Sequence, residues 1–260
     1  MAGEDRPGAV IVTGATYGIG RGIVLDLARR GWPVVGLGLD ARQVGSAAEG
    51  GIAGTRDALE AENLIAEIIE ADVSDAAQVA AAVKAAASAH GRVHGLVNNA
   101  AIRPVGTILD TDEETFERTV AVNLKGQFLT CKAVIPLMKE AGGGSIVNVG
   151  SGAGYGKPGI LAYSASKGGV FALSAALAHD HRADGIRVNV VVPGPQTASG
   201  MVEEMAAGGD PPPPETVSGR QTSPRDVANA VAFLLSDEAE QMSGTIIDVG
   251  SVAGQAGVNL

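Results

Sequence analysis

Short runs of β-branched residues alternate along this chain with alanine-rich stretches of helical period, and no hairpin turn joins any two of the runs. Residues 9–13 (AVIVT), 33–39 (PVVGLGL), 64–73, 92–98 (RVHGLVN), 145–149 (SIVNV), 186–192 (IRVNVVV) and 245–249 (TIIDV) read as strands. Residues 21–30, 75–90, 111–139, 162–179 and 224–235 read as helices, the first stopped by Gly31 and the second capped by Ser74 or Asp75. The strand runs lack apolar/polar alternation, so both of their faces are covered. That is the state of a parallel sheet whose crossovers lay helices on both sides. The pattern predicts an α/β fold: a doubly wound parallel sheet of about seven strands, right-handed at each crossover. No repeat or linker divides residues 1–260, so one domain is expected. The one compositional break is the GGDPPPPE stretch within 206–218, whose prolines fit neither helix nor ladder. A substrate lid over 197–222 is expected there, because the segment follows the carboxyl end of a strand. The Gly/Ala-rich residues 45–54 read as a surface excursion.

Composition narrows the function classes. The chain is 45% hydrophobic but carries only 4 Phe, 3 Tyr and 1 Trp, so small aliphatic side chains fill the core. A net charge of -10 and this shortage of aromatics argue against a nucleic-acid stacking platform. The same charge disfavours anionic membrane surfaces. An anionic cofactor is still admissible, because helix N-termini bind phosphate inside acidic proteins. Cys131 is the one cysteine, which precludes an intrachain disulfide. The opening MAGEDRPGAVIV lacks a basic region before a long apolar run, and no apolar stretch reaches the roughly 18 residues of a membrane span. A cytoplasmic protein is expected.

The turn after the first strand is TGATYGIG, with Gly14, Gly18 and Gly20. Glycines there permit a tight turn and a close approach of backbone to pyrophosphate, whose charge faces a helix N-terminus. Gly14, Thr16, Tyr17, Gly18, Ile19 and Gly20 are therefore candidate cofactor contacts. Asp40 lies 20 residues beyond Gly20, at the end of the second strand. A carboxylate there can accept hydrogen bonds from the adenosine ribose and repel a 2′-phosphate, which points to NAD, with NADP as the alternative. Tyr163 and Lys167, in YSASK, are one helical turn apart on one face. A phenol titrates near pH ~10, so acid–base work at neutral pH needs a nearby cation, which Lys167 can supply. Ser151, just past the fifth strand, can hold a carbonyl or hydroxyl oxygen. Asn123 could fix a water joining Lys167 to solvent.

With TGATYGIG at 13–20, ADV at 71–73, NNAA at 98–101, Asn123, Ser151, YSASK at 163–167 and PG at 193–194, all in order, the chain resembles the short-chain dehydrogenase/reductase family over nearly its whole length. The resemblance implies a Rossmann-type sheet and hydride transfer between a nicotinamide and a secondary alcohol or ketone. Tyr163 would be the general acid or base. Lys167 would lower its pKa and hold the nicotinamide ribose, Ser151 would orient the substrate oxygen, and Asn123 would complete the proton relay. Asp72 and Val73 would flank the adenine, and Asn99 and Ala100 would line the cleft. Pro193, Gly194, Gln196 and Thr197 would meet the nicotinamide end. A homotetramer acting on a small molecule is implied. The family's NAD-selecting acid aligns with Gly38 here, and Leu39 follows where NADP users often have Arg. NNAA replaces NNAG, and Thr197 comes one residue early.

Other residues weigh less. His90 with His94, and His179 with His181, read as solvated helix ends rather than metal ligands. Arg103, after NNAA, could grip a substrate carboxylate or be an exposed loop residue. Tyr155 could form a substrate wall. Met201 and Met205 could face a lid, and Cys131 reads as inert core. Two rivals stand beside the oxidoreductase: a non-catalytic dinucleotide-binding regulator, and a methyltransferase on a similar sheet. Neither needs YSASK.

Overall fold

The structure, a computed structural model, describes residues 8–40, 50–194, 197, 216 and 218–250. Seven parallel strands form one sheet: β1 (Ala9–Thr13), β2 (Val34–Gly38), β3 (Ala66–Glu70), β4 (Val93–Asn98), β5 (Gly144–Val149), β6 (Ile186–Pro193) and β7 (Ile246–Val249). Their order is β3-β2-β1-β4-β5-β6-β7. The chain winds outward in one direction from β1 and in the other from β4, so the sheet is of the doubly wound Rossmann type. Helices α1 (Gly18–Arg29), α2 (Gly51–Ala61), α3 (Ala76–His90), α4 (Glu113–Val120), α5 (Gly126–Glu140), α6 (Leu161–Asp180) and α7 (Pro224–Leu235) connect them.

The strand alternation sorts the core into two layers. Val10 and Val12 of β1 face α1 and α7, packing with Ile23, Leu27, Val227 and Val231. Ala9 and Ile11 face the opposite side, where α3 and α5 supply Val79, Val83, Val134 and Met138. β1 and β2 are buried at every position, which is why they read as unbroken apolar runs. β3 and β7 close the two ends of the sheet and are partly exposed.

Four elements depart from the sequence expectation. Residues 51–54, read as a surface excursion, begin helix α2, which buries Ile52, Thr55 and Leu59 on one face. The stretch expected as one helix over 111–139 is two helices joined by a π-turn at Ala121–Lys125. α1 starts at Gly18, three residues before its expected start. The Asp75 carboxylate, not Ser74, caps α3 by accepting from the Ala77 and Gln78 amides. Most of the expected lid at 197–222, with Met201 and Met205, lies outside the described residues.

A polar ladder pins two helices to the sheet. The Thr130 hydroxyl donates to Asn98 Oδ1 at 2.6 Å, Asn98 Nδ2 to Asn148 Oδ1 at 2.9 Å, and Asn148 Nδ2 to Ser174 at 2.8 Å. All four side chains are buried, so each amide needs these partners. The ladder fixes α5 and α6 against β4 and β5, and those elements carry the site below.

Candidate active site

The sequence-selected residues gather at the carboxyl ends of the strands, on both sides of the β1/β4 switch point. Thr13 Oγ1 accepts from the Asn99 and Ala100 amides at 3.0 and 3.1 Å, and Asn99 Nδ2 donates to the Thr13 and Gly14 carbonyls at 3.0 and 3.2 Å. Asn99 therefore clamps the Gly-rich turn to the neighbouring strand. Gly14 takes φ +64°, and a Cβ there would lie 2.7 Å from Asn99 Nδ2 and 2.8 Å from the Ala100 Cα. At Gly20 a Cβ would land on the Gly14 carbonyl oxygen. The turn is thus packed to the limit that only glycine allows. Tyr17 is the N-cap of α1 and makes no side-chain cap hydrogen bond, so the first helical amides keep their capacity for an anion. A tight turn with open helix amides fits the pyrophosphate of a dinucleotide.

The other adenosine-end candidates fall around this turn. The Thr16 hydroxyl donates to the Leu39 carbonyl at 3.0 Å, so it braces the end of β2. A Cβ at Gly38 would lie 2.9 Å from that hydroxyl, which leaves no space for an acid at the family's usual position. Asp40 lies just beyond β2, and its charge raises the Tyr17 phenol further above its ordinary value, after burial. Tyr17 and Asp40 therefore share one local field beside the phosphate turn. Asp72 Oδ1 accepts from the Ser74 amide and hydroxyl, at 2.8 and 2.7 Å. Val73 is buried against Gly126.

The catalytic candidates meet across β5, the π-turn and α6. Tyr163 and Lys167 are 7% and 1% exposed, successive turns of one buried helix face. Lys167 Nζ lies 5.7 Å from the Tyr163 ring centroid and donates to the Val149 carbonyl at 2.7 Å. Ser151 lies two residues past β5 and opens a 3-10 turn, its oxygen accepting from the Ala153 amide at 3.2 Å. Burial pushes the Tyr163 phenol up, while Ser151 and the Arg103 charge pull it back down. Burial pushes the Lys167 ammonium down to about 8. Asn123 is fully buried in the π-turn. Its Oδ1 accepts from the Ile102 amide at 2.8 Å, and its Nδ2 donates to the Ile102 carbonyl at 2.9 Å and to Ser166 at 3.0 Å. Both N–H donors of that amide are thus engaged, and its oxygen keeps one acceptor site.

Lys167 gives the nucleotide-free protein a pH signature. An unfolded lysine holds its proton to the ordinary 10.5, whereas the folded one loses it near 8. Between these values the unfolded chain binds more protons, so stability rises with pH from about 8. Cys131 acts oppositely: burial raises its thiol from 9.0 to about 12, so stability falls with pH above 9. Buffered thermal melts are expected to show Tm climbing from pH 8 to 9, levelling between 9 and 10.5 where the two slopes oppose, and turning down above 10.5. Lys167→Met is expected to remove the climb and start the downturn near pH 9.

At the far end of the cleft, Thr197 is buried, and its hydroxyl donates to the Gly194 carbonyl at 3.0 Å. Pro193 ends β6 beside β7, and Gln196 lies outside the described residues. Tyr155 is half exposed and stacks on Phe171 with centroids 5.0 Å apart. The histidines are placed structurally: His94 meets the Leu235 carbonyl and the Trp32 ring, and His181 meets Asp184. Among the described residues, no group of three or more His, Cys, Asp or Glu is placed to hold a metal, and no helix is long and apolar enough to cross a membrane. Sequence reasoning missed the positioning residues Thr13, Asn98, Asn148 and Ser166. Their signal was polar residues within or flanking otherwise apolar elements.

Known proteins resemble this chain over most of its length. Residues 14–251 match the family described as enoyl-(acyl carrier protein) reductase. The chain is 36% identical over 258 residues to 2-(S)-hydroxypropyl-CoM dehydrogenase 3 of Xanthobacter autotrophicus, covering 96% of this chain and 97% of that protein. It is 37% identical over 251 residues to 2-keto-3-deoxy-L-fuconate dehydrogenase of Xanthomonas campestris, covering 92% of this chain and 78% of the other. The crystal structure of levodione reductase superposes with a TM-score of 0.83 at 30% identity, covering 97% of this chain and 99% of that one. The chain belongs to the short-chain dehydrogenase/reductase family and is an oxidoreductase of that type.

Proposed function

We propose that this oxidoreductase interconverts a secondary alcohol and its ketone with NAD, Tyr163 being the acid–base group. The observation that carries the reading is the burial of the Lys167 ammonium 5.7 Å from the Tyr163 ring, with Ser151 at the same phenol. When bound, the nicotinamide supplies or accepts the hydride. Tyr163 removes the alcohol proton in oxidation and returns it to the oxygen in reduction. The Lys167 charge stabilises the phenolate that this cycle requires. Ser151 Oγ holds the substrate oxygen against Tyr163, and Asn123 fixes the loop that carries Ile102. Gly14, Thr16 to Gly20, Asn99 and Ala100 form the dinucleotide cradle, with Asp72 and Val73 at the adenine and Pro193, Gly194, Gln196 and Thr197 at the nicotinamide. Asp40 accepts from the adenosine ribose, which favours NAD. The exposed apolar side chains Val105, Ile108, Leu109, Phe116 and Phe128 support a homotetramer that covers them.

A panel of secondary alcohols and ketones, followed by absorbance of the reduced nicotinamide, tests the cofactor assignment. Turnover with NAD is expected to exceed that with NADP by about tenfold or more, and Asp40→Ala to narrow that gap. A large preference for NADP would refute the Asp40 assignment.

A further inference from the structure

Arg103 is the charged side chain at this site that the reaction above leaves without a task. It follows β4 by five residues, in a loop held at two points. Asn123 grips both backbone groups of Ile102, the residue before it, at 2.8 and 2.9 Å. Three residues after it, the Gly106 amide donates to the Gly159 carbonyl at 2.8 Å and the Leu161 amide donates back to Gly106 at 3.1 Å. The second tie joins the loop to the start of α6, the helix that carries Tyr163. Ala101 of the same loop packs against Tyr163, Ala153 and Ile160. The Arg103 guanidinium is therefore carried on a fixed segment at the mouth of the cleft, and its charge is felt at the phenol.

Arg103 is half buried, and among the described residues it makes no hydrogen bond or ion pair. In a chain with 29 acidic and 19 basic residues, partners for an arginine are abundant. The other arginines near this end of the fold have them: Arg21 donates to the Gly54 carbonyl and Arg220 forks onto Asp226. A half-buried guanidinium presents planar paired donors suited to a carboxylate. A net charge of -10 also repels an anionic substrate, so capture of one needs a local cation at the cleft.

We propose that Arg103 binds a carboxylate on the substrate, so that the alcohol/ketone pair this enzyme handles is a hydroxy acid and its keto acid. The inference rests on the oxidoreductase reading above and adds the substrate class. The fork anchors the carboxylate while Tyr163 and Ser151 receive the reacting oxygen, which fixes the spacing between the two groups.

The test uses 2-, 3- and 4-hydroxy acids beside their methyl esters, as substrates with NAD. For at least one chain length the wild type is expected to favour the acid over its ester. Arg103→Gln is expected to lower that acid-to-ester ratio of kcat/KM by about tenfold to a hundredfold, mostly through KM. Arg103→Lys is expected to restore part of it, and Arg118→Gln, on the exposed face of α4, to leave the ratio alone. An ester as good as the acid at every length, or a ratio that survives Arg103→Gln, overturns the proposal. If no compound turns over with either nucleotide, the secondary-alcohol reading is what has failed. Calorimetry of the same acids on NAD-loaded protein then still reads Arg103: binding lost in Arg103→Gln supports the site, and equal binding refutes it.

Discussion

Gly20→Ala is expected to abolish dinucleotide binding and to destabilise the fold by about 3 kcal/mol. The added methyl would land on the Gly14 carbonyl oxygen and against the Asn99 amide nitrogen. Neither can yield cheaply. Gly14 is held at φ +64° and packs against the Ala100 backbone, and the Asn99 nitrogen is committed to the Thr13 and Gly14 carbonyls. Either α1 moves off the turn or the clamp between β1 and β4 opens, and both widen the cradle meant for phosphate. Gly54→Ala is the matched control. It lies in helix α2 with nothing within 4 Å of its Cβ, so the same change there is expected to stabilise by about 0.5–1 kcal/mol. Thermal melts and the fluorescence of bound reduced nicotinamide read both effects. A Gly20→Ala protein that melts and binds like wild type would disprove the close-approach account.

Tyr163→Phe is expected to lower kcat by about a thousandfold while nucleotide affinity changes little. The substitution removes one oxygen from a side chain that is otherwise packed against Ala153, Ile160 and Ala101, so the fold has little reason to respond. What is lost is the proton path. A phenol in this pocket is pushed up by burial, and two neighbours act against that shift. Ser151 and Arg103 pull it down, and Lys167 offers a buried ammonium on the same helix face. Without the hydroxyl, the Lys167 charge has nothing to stabilise, and water must serve as the acid or base.

The strands were legible because β1, β2 and the central β4 and β5 are buried on both faces, which forces continuous apolar runs. Helix α2 was not. Its sequence GIAGTRDALEA carries two glycines, and its helix forms because Ile52 and Leu59 reach the core and the Gly51 amide finds the Thr16 carbonyl. Those are tertiary contacts with no local signature. The break at Asn123 escaped for the same reason. Its amide bonds Ile102, 21 residues earlier, and no helix propensity encodes that reach. In the site, Tyr163, Lys167 and Ser151 were readable from type and spacing. The internal hydrogen bonds that brace the site were not. The Thr16 hydroxyl goes to Leu39, 23 residues later. The Asn123 amide reaches Ile102 and Ser166, bonds that its place in the sequence does not announce. Arg103 was open between a carboxylate grip and an exposed loop residue, and its fixed loop and lack of a partner among the described residues single it out.

The central claim is that Tyr163 moves the proton while the buried Lys167 sustains it. The most direct measurement compares initial rates of wild type and Tyr163→Phe on one substrate, both saturated with nucleotide and both shown to be folded by their melts. The account predicts a fall of about a thousandfold in kcat with nucleotide binding retained. A Tyr163→Phe enzyme that turns over at the wild-type rate would contradict it.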